Sequence, residues 1–321
     1  MAKSNSKHFK INDLIFKELI KRGYSLEGNT RVWNIADSKL WYLTPEQAQA
    51  FLDLERSEDY NREIIQKEID LINKNMDKIL REVGDGPLNI IDLGCGDGKK
   101  AVIFIEHLKK KTKIRYCPID ISSYMVEKAI NRISKMDVDE IVKFQWNISD
   151  FENIENIANL LRRKDFKKNF FLLLGNTLGN FEINELMYEI RSAMDWDDVL
   201  LIGNGLSTKN TEALLKSYTN KEVNNFLIKI PLQLGLEERD VKFGTRFQNS
   251  RVELYYTLNR DKEVKFQNKK VNFNKGDQII VAVSYHYKEK DFVNFMKMYF
   301  KNVKIYPYKD GSYVLALCKL L

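Results

Sequence analysis

The chain has 321 residues, of which 44% are hydrophobic and 30% charged, with a formal net charge of +7. This length and composition allow a buried core, in one large domain or two modest ones. The apolar runs are far too short to cross a bilayer, and no apolar segment follows the charged residues at the start, so we expect neither membrane anchor nor signal peptide. Three widely spaced cysteines, Cys95, Cys117 and Cys318, favour a reducing compartment and predict a cytoplasmic protein.

The charge and the histidines argue against two kinds of partner. A surplus of +7 that is scattered along the chain is weak evidence for nucleic acid. The histidines His8, His107 and His286 do not have metal-ligand spacing, and no cysteine pair adjoins them. We therefore predict no metal site.

The first part of the chain predicts helices. Residues 11–22 carry an apolar helical stripe that Gly23 ends. The segment Thr44-Pro45-Glu46-Gln47 has the form of a capping box with proline at the first helical position. A long helix is predicted from Asn61 to Val83, and Gly84-Asp85-Gly86-Pro87 follows it.

From residue 88 onward, strands alternate with helices. The predicted strands are Leu88–Leu93, Lys113–Ile119, Val142–Trp146, Phe170–Leu174 and Val199–Ile202. Helices are predicted at Lys100–Lys109 and Met125–Lys135. Because the strands are apolar almost throughout, they indicate a parallel sheet that helices cover on both faces.

Residues 206–285 interrupt this alternation. A helical stretch from Thr211 to Leu234 leads into strand-like segments, among which Val252 to Leu258 alternates apolar and polar residues. Gln278 to Ser284 is a further predicted strand. The chain ends with a helix and two strands that join at Asp310-Gly311, a strong hairpin signal.

A glycine-rich turn joins the first strand of the predicted sheet to its helix. Gly94, Gly96 and Gly98 lie in the segment Ile91-Asp92-Leu93-Gly94-Cys95-Gly96-Asp97-Gly98-Lys99-Lys100. Glycine lets the backbone turn sharply and approach a ligand, and the helix behind it presents unpaired N–H groups. Dinucleotide sites share such a turn, so this motif alone does not identify the ligand.

Carboxylates at three successive strand ends favour S-adenosylmethionine (SAM) as the ligand. Asp92, two residues before Gly94, can face the cationic methionine group and would repel a diphosphate. Asp120 ends the next strand, where it can accept hydrogen bonds from both ribose hydroxyls. After the third strand, Asp150 can accept from the adenine amino group and Phe151 can pack on the ring. A lone aspartate often caps a helix or a turn, but three at successive strand ends predict a cofactor site.

A narrower similarity follows the fourth strand. Gly175-Asn176-Thr177-Leu178-Gly179-Asn180-Phe181 closely resembles the Gly-Ser-Thr-Ile-Gly-Asn-Phe signature of the histidine Nα-methyltransferases of ergothioneine biosynthesis. The resemblance covers most of the chain from residue 40. Its weaker blocks are Trp41–Thr44, Pro118–Ser122, Tyr218–Asn220, Arg251–Leu254 and Val283–Tyr287.

This resemblance implies an α/β fold, with a Rossmann-like class I methyltransferase sheet and a second, smaller α+β substrate domain. The implied parts are an N-terminal helical segment of the substrate domain (1–60), the SAM-binding domain (61–205), the substrate-domain insertion (206–285) and a C-terminal helix and hairpin that complete the large sheet (286–321). An antiparallel last strand is typical of SAM-dependent methyltransferases with such a sheet.

The resemblance also implies functional residues. Lys100, Ile121 and Asn176 would join the cofactor site. The residues of the substrate site would be Tyr42, Asn180, Tyr218 and Ser284. Asn180 and Tyr218 would hold the amino and carboxylate groups of the substrate, and Tyr218 or bound water would accept the proton of the acceptor amine.

Two positions depart from the family pattern. The family has a glutamate two residues before the serine that matches Ser284, and that pair holds the imidazole of histidine; here the position is Ala282. Gly205 replaces the aspartate that usually follows the Gly-x pair. Because a methyl group cannot accept an imidazole N–H, a site without another acceptor discriminates poorly in favour of histidine.

The sequence thus predicts a SAM-dependent methyltransferase, with an amine of an amino acid or related small molecule as acceptor and with Ala282 arguing against histidine. Two alternatives stay open. A methyltransferase that acts on protein or RNA would have a basic face beside the cofactor site. A SAM-binding protein without catalysis would bind the cofactor tightly and methylate nothing.

Overall fold

The computed structural model describes residues 11–149, 151–207 and 211–321. The chain divides into two compact units. The small unit comprises Met1–Leu43 and Glu212–Ser284, and the large unit comprises Thr44–Thr211 and Tyr285–Leu321. In the described parts of the chain, no helix is both long enough and apolar enough to cross a membrane.

The helices and strands are numbered here in chain order. The helices are α1 (Asp13–Arg22), α2 (Pro45–Arg56), α3 (Glu58–Tyr60), α4 (Lys67–Val83), α5 (Lys99–Leu108), α6 (Ser123–Ile133), α7 (Ile154–Leu161), α8 (Ile183–Ala193), α9 (Thr211–Tyr218), α10 (Lys221–Leu227), α11 (Lys229–Gln233) and α12 (Glu289–Tyr299). The strands are β1 (Ser25–Glu27), β2 (Thr30–Asn34), β3 (Leu88–Leu93), β4 (Ile114–Ile119), β5 (Glu140–Ile141), β6 (Lys168–Leu173), β7 (Val199–Gly205), β8 (Val241–Gln248), β9 (Arg251–Leu258), β10 (Lys262–Phe266), β11 (Lys269–Phe273), β12 (Gln278–Tyr285), β13 (Asn302–Pro307) and β14 (Tyr313–Lys319).

The large unit contains a sheet of order β13-β14-β7-β6-β3-β4-β5. Strands β7, β6, β3, β4 and β5 are parallel, whereas β14 is antiparallel to both β7 and β13. The predicted parallel sheet with a C-terminal hairpin is therefore confirmed. Gly311 has a φ of +71° in the turn before β14, a conformation that glycine adopts without strain.

Both faces of this sheet are buried. The side chains of β3 and β4 are buried at every position, and successive residues join apolar layers on opposite faces. Ile90 belongs to the layer that contains Met76 and Ile79 of α4, whereas Ile91 belongs to the layer that contains Met187 of α8. Burial on both faces explains why these strands lack the alternation of a half-exposed strand.

One predicted strand is wrong. The segment Val142–Trp146 was expected to form the third strand, but β5 covers only Glu140 and Ile141. The side chain of Asn147 accepts a hydrogen bond from the N–H of Phe144 (2.6 Å) and donates one to the carbonyl of Pro118 (2.6 Å). These bonds turn the chain into a short 3-10 helix, Gln145–Asn147, in place of a longer strand.

The small unit contains a sheet of order β1-β2-β12-β9-β8 and the hairpin β10-β11. Strand β2 is parallel to β12, and the Trp41 indole donates to the carbonyl of Val281 (2.9 Å). The predicted N-terminal helical segment contains α1, but β1 and β2 follow it and were not predicted. These strands tie residues 25–34 into the sheet of the small unit.

The boundary after the N-terminal segment also differs from the expected one. It was expected after residue 60, whereas the compact units divide after Leu43. Helix α2 belongs to the large unit, where Glu55 pairs with Lys99 (2.7 Å) and Gln49 accepts a hydrogen bond from Tyr124 (2.6 Å). These contacts attach α2 to the glycine-rich turn and to α6.

Candidate active site

The glycines of the turn after β3 have different functions. Gly94, Gly96 and Gly98 have φ values of +68°, +51° and +76°, a region that side chains disfavour. A Cβ at Gly94 would lie 2.9 Å from the side chain of Thr177, and one at Gly98 would lie 3.0 Å from Cα of Ala129. Among the described residues, leaving aside its two chain neighbours, no heavy atom lies within 4 Å of a Cβ at Gly96. Gly94 and Gly98 therefore permit close packing, and Gly96 leaves room for a ligand.

Asp120 lies against this open part of the turn. Its Oδ2 accepts a hydrogen bond from the N–H of Gly96 (3.0 Å), and its Oδ1 accepts one from the N–H of Ser122 (3.0 Å). Burial raises the pKa of Asp120 to about 6, although backbone hydrogen bonds from Ser122, Gly96 and Ile121 oppose the rise. A fixed carboxylate beside an open glycine suits a ligand with paired hydroxyl groups, as SAM has.

Asp92 provides a second carboxylate at the end of β3. Its side chain is buried and accepts a hydrogen bond from the hydroxyl of Tyr116 (2.8 Å). Burial raises the pKa of Asp92 to about 7, although the bond from Tyr116 and the charge of Lys100 oppose the rise. A cationic ligand group would favour the ionised carboxylate. Asp92 and Asp120 thus fit the cationic methionine group and the ribose of SAM.

The predicted adenine contacts can be located only in part. Asp150 lies outside the described residues. Phe151 begins the 3-10 helix Phe151–Asn153, and its ring lies 5.3 Å from the ring of Phe181, measured between centroids. Phe151 is therefore next to the Gly-Asn-Phe segment, within the apolar layer that contains α7 and α8.

The segment after β6 places its two asparagines differently. Asn176 has a left-handed backbone (φ +61°), and its Oδ1 accepts a hydrogen bond from the N–H of Gly205 (2.8 Å). Asn180 ends the 3-10 helix Thr177–Asn180. Its side chain is half-buried, and its backbone is not in the left-handed region. Asn176 thus links the ends of β6 and β7, and Asn180 follows one helical turn later.

The glycine at position 205 adjoins a buried histidine. The φ angle of Gly205 is not in the left-handed region, so the backbone conformation alone does not require glycine here. A Cβ at Gly205 would lie 3.0 Å from Cε1 of His286 and 3.3 Å from Oδ1 of Asn176. Burial lowers the pKa of His286 to about 4, although a hydrogen bond with the backbone of Leu206 opposes this decrease. The ring is therefore neutral at pH 7 and occupies the space that a side chain at 205 would need.

Three of the predicted substrate residues lie in the small unit. The hydroxyls of Tyr218 and Ser284 are 2.8 Å apart, so the structure brings these two residues together. Burial raises the pKa of Tyr218 to about 12, although the bond to Ser284 opposes the rise. The ring of Tyr42 lies 5.9 Å from that of Phe226, measured between centroids. Ala282 is buried on β12, two residues before Ser284. The fourth predicted substrate residue, Asn180, belongs to the large unit.

The sequence did not identify Glu68, which is fully buried behind the turn. Its carboxylate accepts hydrogen bonds from the N–H of Gly175 (2.8 Å) and the hydroxyl of Tyr313 (2.7 Å), and it pairs with Lys100 (2.8 Å). A signal was present, since Glu68 lies three residues after Ile65 and four before Ile72, on the apolar stripe of the predicted helix. A charged residue in such a stripe requires a buried partner.

The family model described as "Histidine-specific methyltransferase, SAM-dependent" matches residues 46–320. A segment of 132 residues is 23% identical to Ergothioneine biosynthesis protein 1 of Schizosaccharomyces pombe, and it covers 40% of this chain but only 17% of that relative.

Solved structures are similar at a lower level. A protein of Pyrococcus horikoshii OT3 has 13% sequence identity and a TM-score of 0.45, with 85% of this chain and 98% of that chain covered. Magnesium protoporphyrin IX methyltransferase from Synechocystis PCC 6803 also has 13% identity and a TM-score of 0.45, with 84% and 93% covered. Similarity at this level says nothing about the substrate. The family match, in contrast, spans most of the sequence, and the chain therefore belongs to the SAM-dependent, histidine-specific methyltransferase family.

Proposed function

We propose that this methyltransferase transfers a methyl group from SAM to an amine of a free amino acid or related small molecule, and that histidine is not its preferred acceptor. Ala282, which lies two residues before Ser284 on β12, is the main support for this proposal. The match to a histidine-specific family supports an amino-acid acceptor, and the side chain at position 282 argues for a different amino acid.

The chemistry around Ala282 supports a changed specificity. Ala282 and Ser284 are both buried, and Ser284 shares a hydrogen bond with Tyr218. These groups offer neutral hydroxyls and a methyl group. A hydroxyl oxygen can accept a hydrogen bond from an imidazole N–H, but a hydrogen bond to a charged group contributes about 1.5–3 kcal/mol and one between neutral groups only about 0.5–1.5 kcal/mol. Amino acids with apolar or hydroxyl-bearing side chains do not depend on a charged partner here, so they are the first candidates for the methyl acceptor.

Within the proposed reaction, the residues of this chain mainly bind and orient. SAM supplies a methyl group that its sulfonium already activates. Asp92 would face the cationic methionine group and Asp120 the ribose hydroxyls. Asn180 and Tyr218 would hold the amino and carboxylate groups of the acceptor. Correct orientation accounts for much of the rate enhancement in such a displacement.

The acceptor amine must lose a proton before it attacks. Burial raises the pKa of Tyr218 to about 12, which keeps its phenol protonated at neutral pH. Tyr218 therefore serves in our proposal as a hydrogen-bond donor to the carboxylate of the acceptor. The amine would release its proton to water, and N-methylation would need no strongly basic side chain.

Titration calorimetry tests the acceptor. The protein is first saturated with S-adenosylhomocysteine and then titrated with histidine and with a panel of other amino acids. We expect another amino acid to bind more tightly than histidine. The variant Ala282→Glu should gain histidine affinity, whereas Ala282→Gln, which has a similar size and no charge, should gain less. Tight binding of histidine to the unmodified protein would contradict the proposal.

A second candidate, methylation of RNA or protein, has one observation in its favour. A cavity of about 470 Å³ borders Asp97 of the glycine-rich turn, and its other lining residues are Leu52, Arg56, Lys128, Asn131, Arg132 and Lys135. Its positive charge is partly neutralised, since Arg132 pairs with Asp97 (2.6 Å) and Arg56 with Asp53 (3.4 Å). Salt-sensitive binding of a short RNA, measured by fluorescence anisotropy and lost in Lys128→Ala, would favour this candidate.

A further inference from the structure

The carboxylate of Glu68 connects four separate parts of the large unit. Glu68 is the second residue of α4 and follows a π-helical turn, Asn61–Gln66. Its side chain is 0% exposed and contacts the N–H of Gly175, the hydroxyl of Tyr313 and the ammonium of Lys100. Gly175 begins the segment after β6, and Lys100 lies in the first turn of α5, directly behind the glycine-rich turn.

Two glycines make room for this ion pair. A Cβ at Gly203 would collide with the carboxylate of Glu68, and one at Gly175 would collide with the ammonium of Lys100. Gly203 has no left-handed φ, so its backbone conformation does not require glycine. The close packing therefore fixes the carboxylate and the ammonium in one arrangement.

The position of Lys100 matters because it also interacts with Asp92. Burial lowers the pKa of Lys100, but the carboxylates of Glu68 and Glu55 and that of Asp92 outweigh this effect, and the net pKa is raised. Glu55 is already paired with Lys99 (2.7 Å). If Glu68 lost its charge, the buried ammonium would retain Asp92 as an attractive partner. A direct pair between Lys100 and Asp92 would occupy the carboxylate that faces the cofactor.

We propose that Glu68 is a positioning residue of the SAM site, which holds Lys100 and the turn at Gly175 in place and thereby keeps the carboxylate of Asp92 available for the cationic methionine group. Glu68 acts through Lys100 and does not touch the cofactor itself. In this role Glu68 affects cofactor binding, whichever acceptor the enzyme methylates.

Binding of S-adenosylhomocysteine to two variants tests this role. Glu68→Gln keeps the shape and one oxygen acceptor for Gly175 but removes the charge. Its affinity, measured by calorimetry at pH 7.5, should fall at least about tenfold, the change that one pKa unit represents. The double variant Glu68→Gln/Lys100→Met has no buried charge at this point and should recover most of the affinity. Replacing both members of a buried pair with neutral side chains is often tolerated, so this variant should fold.

A pH profile separates this role from a purely structural one. Tyr116, Lys100, Asp120 and Asp97 are the charged or titratable groups with the largest effects on Asp92, and the buried thiols of Cys95 and Cys117 also interact with it. In Glu68→Gln the nearer ammonium would lower the pKa of Asp92, and the acid limb of S-adenosylhomocysteine binding should move to lower pH. A loosened fold would weaken binding without that shift. Glu63→Gln serves as the control, because it removes the same charge from the π-helical turn, where Glu63 pairs with Lys67 (2.7 Å). Its affinity for S-adenosylhomocysteine should be unchanged.

Two results would overturn the proposal. One is unchanged affinity in a folded Glu68→Gln protein. The other is a folded double variant that binds as weakly as the single variant, because removal of the Lys100 charge would then bring no recovery.

Discussion

The hydroxyl of Tyr116 donates a hydrogen bond to Oδ2 of Asp92 across neighbouring strands, over 2.8 Å. In the register of β3 and β4, Tyr116 lies opposite Ile90, so its side chain reaches forward to the end of β3. Burial raises the pKa of Asp92 to about 7, and this bond opposes the rise. Burial also raises the pKa of Tyr116, which therefore remains a donor at neutral pH. Tyr116 thus helps to keep Asp92 ionised, as the proposed contact with a cationic ligand group requires.

Removal of that hydroxyl should make cofactor binding more sensitive to pH. In Tyr116→Phe the pKa of Asp92 should rise further, so that the carboxylate is more protonated at pH 7. A hydrogen bond to a charged group is worth about 1.5 kcal/mol or more, so affinity for S-adenosylhomocysteine should fall roughly tenfold at pH 7. It should recover at pH 9. Calorimetry at several pH values measures both effects, with Tyr→Phe at the exposed Tyr188 as control. An equal loss at every pH would contradict the role of Asp92.

The unmodified protein should show a matching pH dependence. The pKa values of Asp92 and Asp120 are raised by burial, to about 7 and about 6. An acid whose pKa is raised by folding stabilises the protein at low pH and loses that contribution as pH rises through the folded value. A ligand that favours the carboxylates has the opposite dependence. The increase in Tm on addition of S-adenosylhomocysteine should therefore grow from pH 5 to pH 8, and a constant increase would argue against both carboxylates.

Asp120 should have the largest effect on cofactor affinity. Asp120→Ala removes the acceptor that we propose for both ribose hydroxyls and also frees the N–H of Gly96. With about 1.5–3 kcal/mol for each hydrogen bond to a charged group, binding of S-adenosylhomocysteine should weaken at least about a hundredfold. Asp120→Asn keeps one oxygen for Gly96 and should lose less. Unchanged affinity of Asp120→Ala in calorimetry would refute the predicted ribose contact.

The two asparagines after β6 should separate catalysis from cofactor binding. Asn180→Ala should impair methyl transfer to the acceptor that the amino-acid panel identifies, while affinity for S-adenosylhomocysteine stays nearly unchanged. Asn176→Ala, in contrast, should lower the stability of the protein, because Oδ1 of Asn176 accepts a hydrogen bond from the N–H of Gly205. Release of S-adenosylhomocysteine measures turnover, and calorimetry measures affinity. If Asn180→Ala lost both turnover and cofactor affinity, Asn180 would belong to the cofactor site.

The central sheet, and the proximity of the carboxylates that we propose for the cofactor site, follow from local patterns. Continuous apolar strands predicted the parallel sheet, and the turn at Asp310-Gly311 predicted its antiparallel end. The carboxyl ends of parallel strands lie at one edge of a sheet, so the sequence could place Asp92 near Asp120 without further information. The bond from Gly96 to Asp120 shows that these two strand ends do meet.

Other features depend on contacts between distant segments. All three residues of β1 are exposed, so the sequence has no apolar pattern that would predict this strand or its pairing with β2. Strand β5 is short because the side chain of Asn147 makes hydrogen bonds that turn the chain, and strand propensity does not predict such bonds. Glu68 acquires its role from Gly175, 107 positions along the chain, and from Tyr313, 245 positions along. Its place in an apolar stripe indicated that a partner exists, but not which one.

Gly205 and His286 should be energetically coupled. The family resemblance leads us to expect an aspartate at position 205; the chain has glycine instead, and a Cβ there would lie 3.0 Å from the ring of His286. Gly205→Ala should therefore destabilise the protein by about 1–3 kcal/mol through overpacking. His286→Ala would leave a cavity and should also destabilise it. In the double variant the methyl group enters the space that the ring vacates, so the combined loss in urea denaturation should be smaller than the sum by about 0.5–3 kcal/mol.

Additive losses would show that the contact between position 205 and the ring does not limit the packing there. A coupling of the expected sign would mean that the glycine and the buried histidine depend on each other. Since burial keeps the ring neutral, with the pKa of His286 lowered to about 4, the coupling should be the same at pH 6.5 and pH 8. A coupling that appeared only at the lower pH would point to the charge of the imidazole, and the steric explanation would then be wrong.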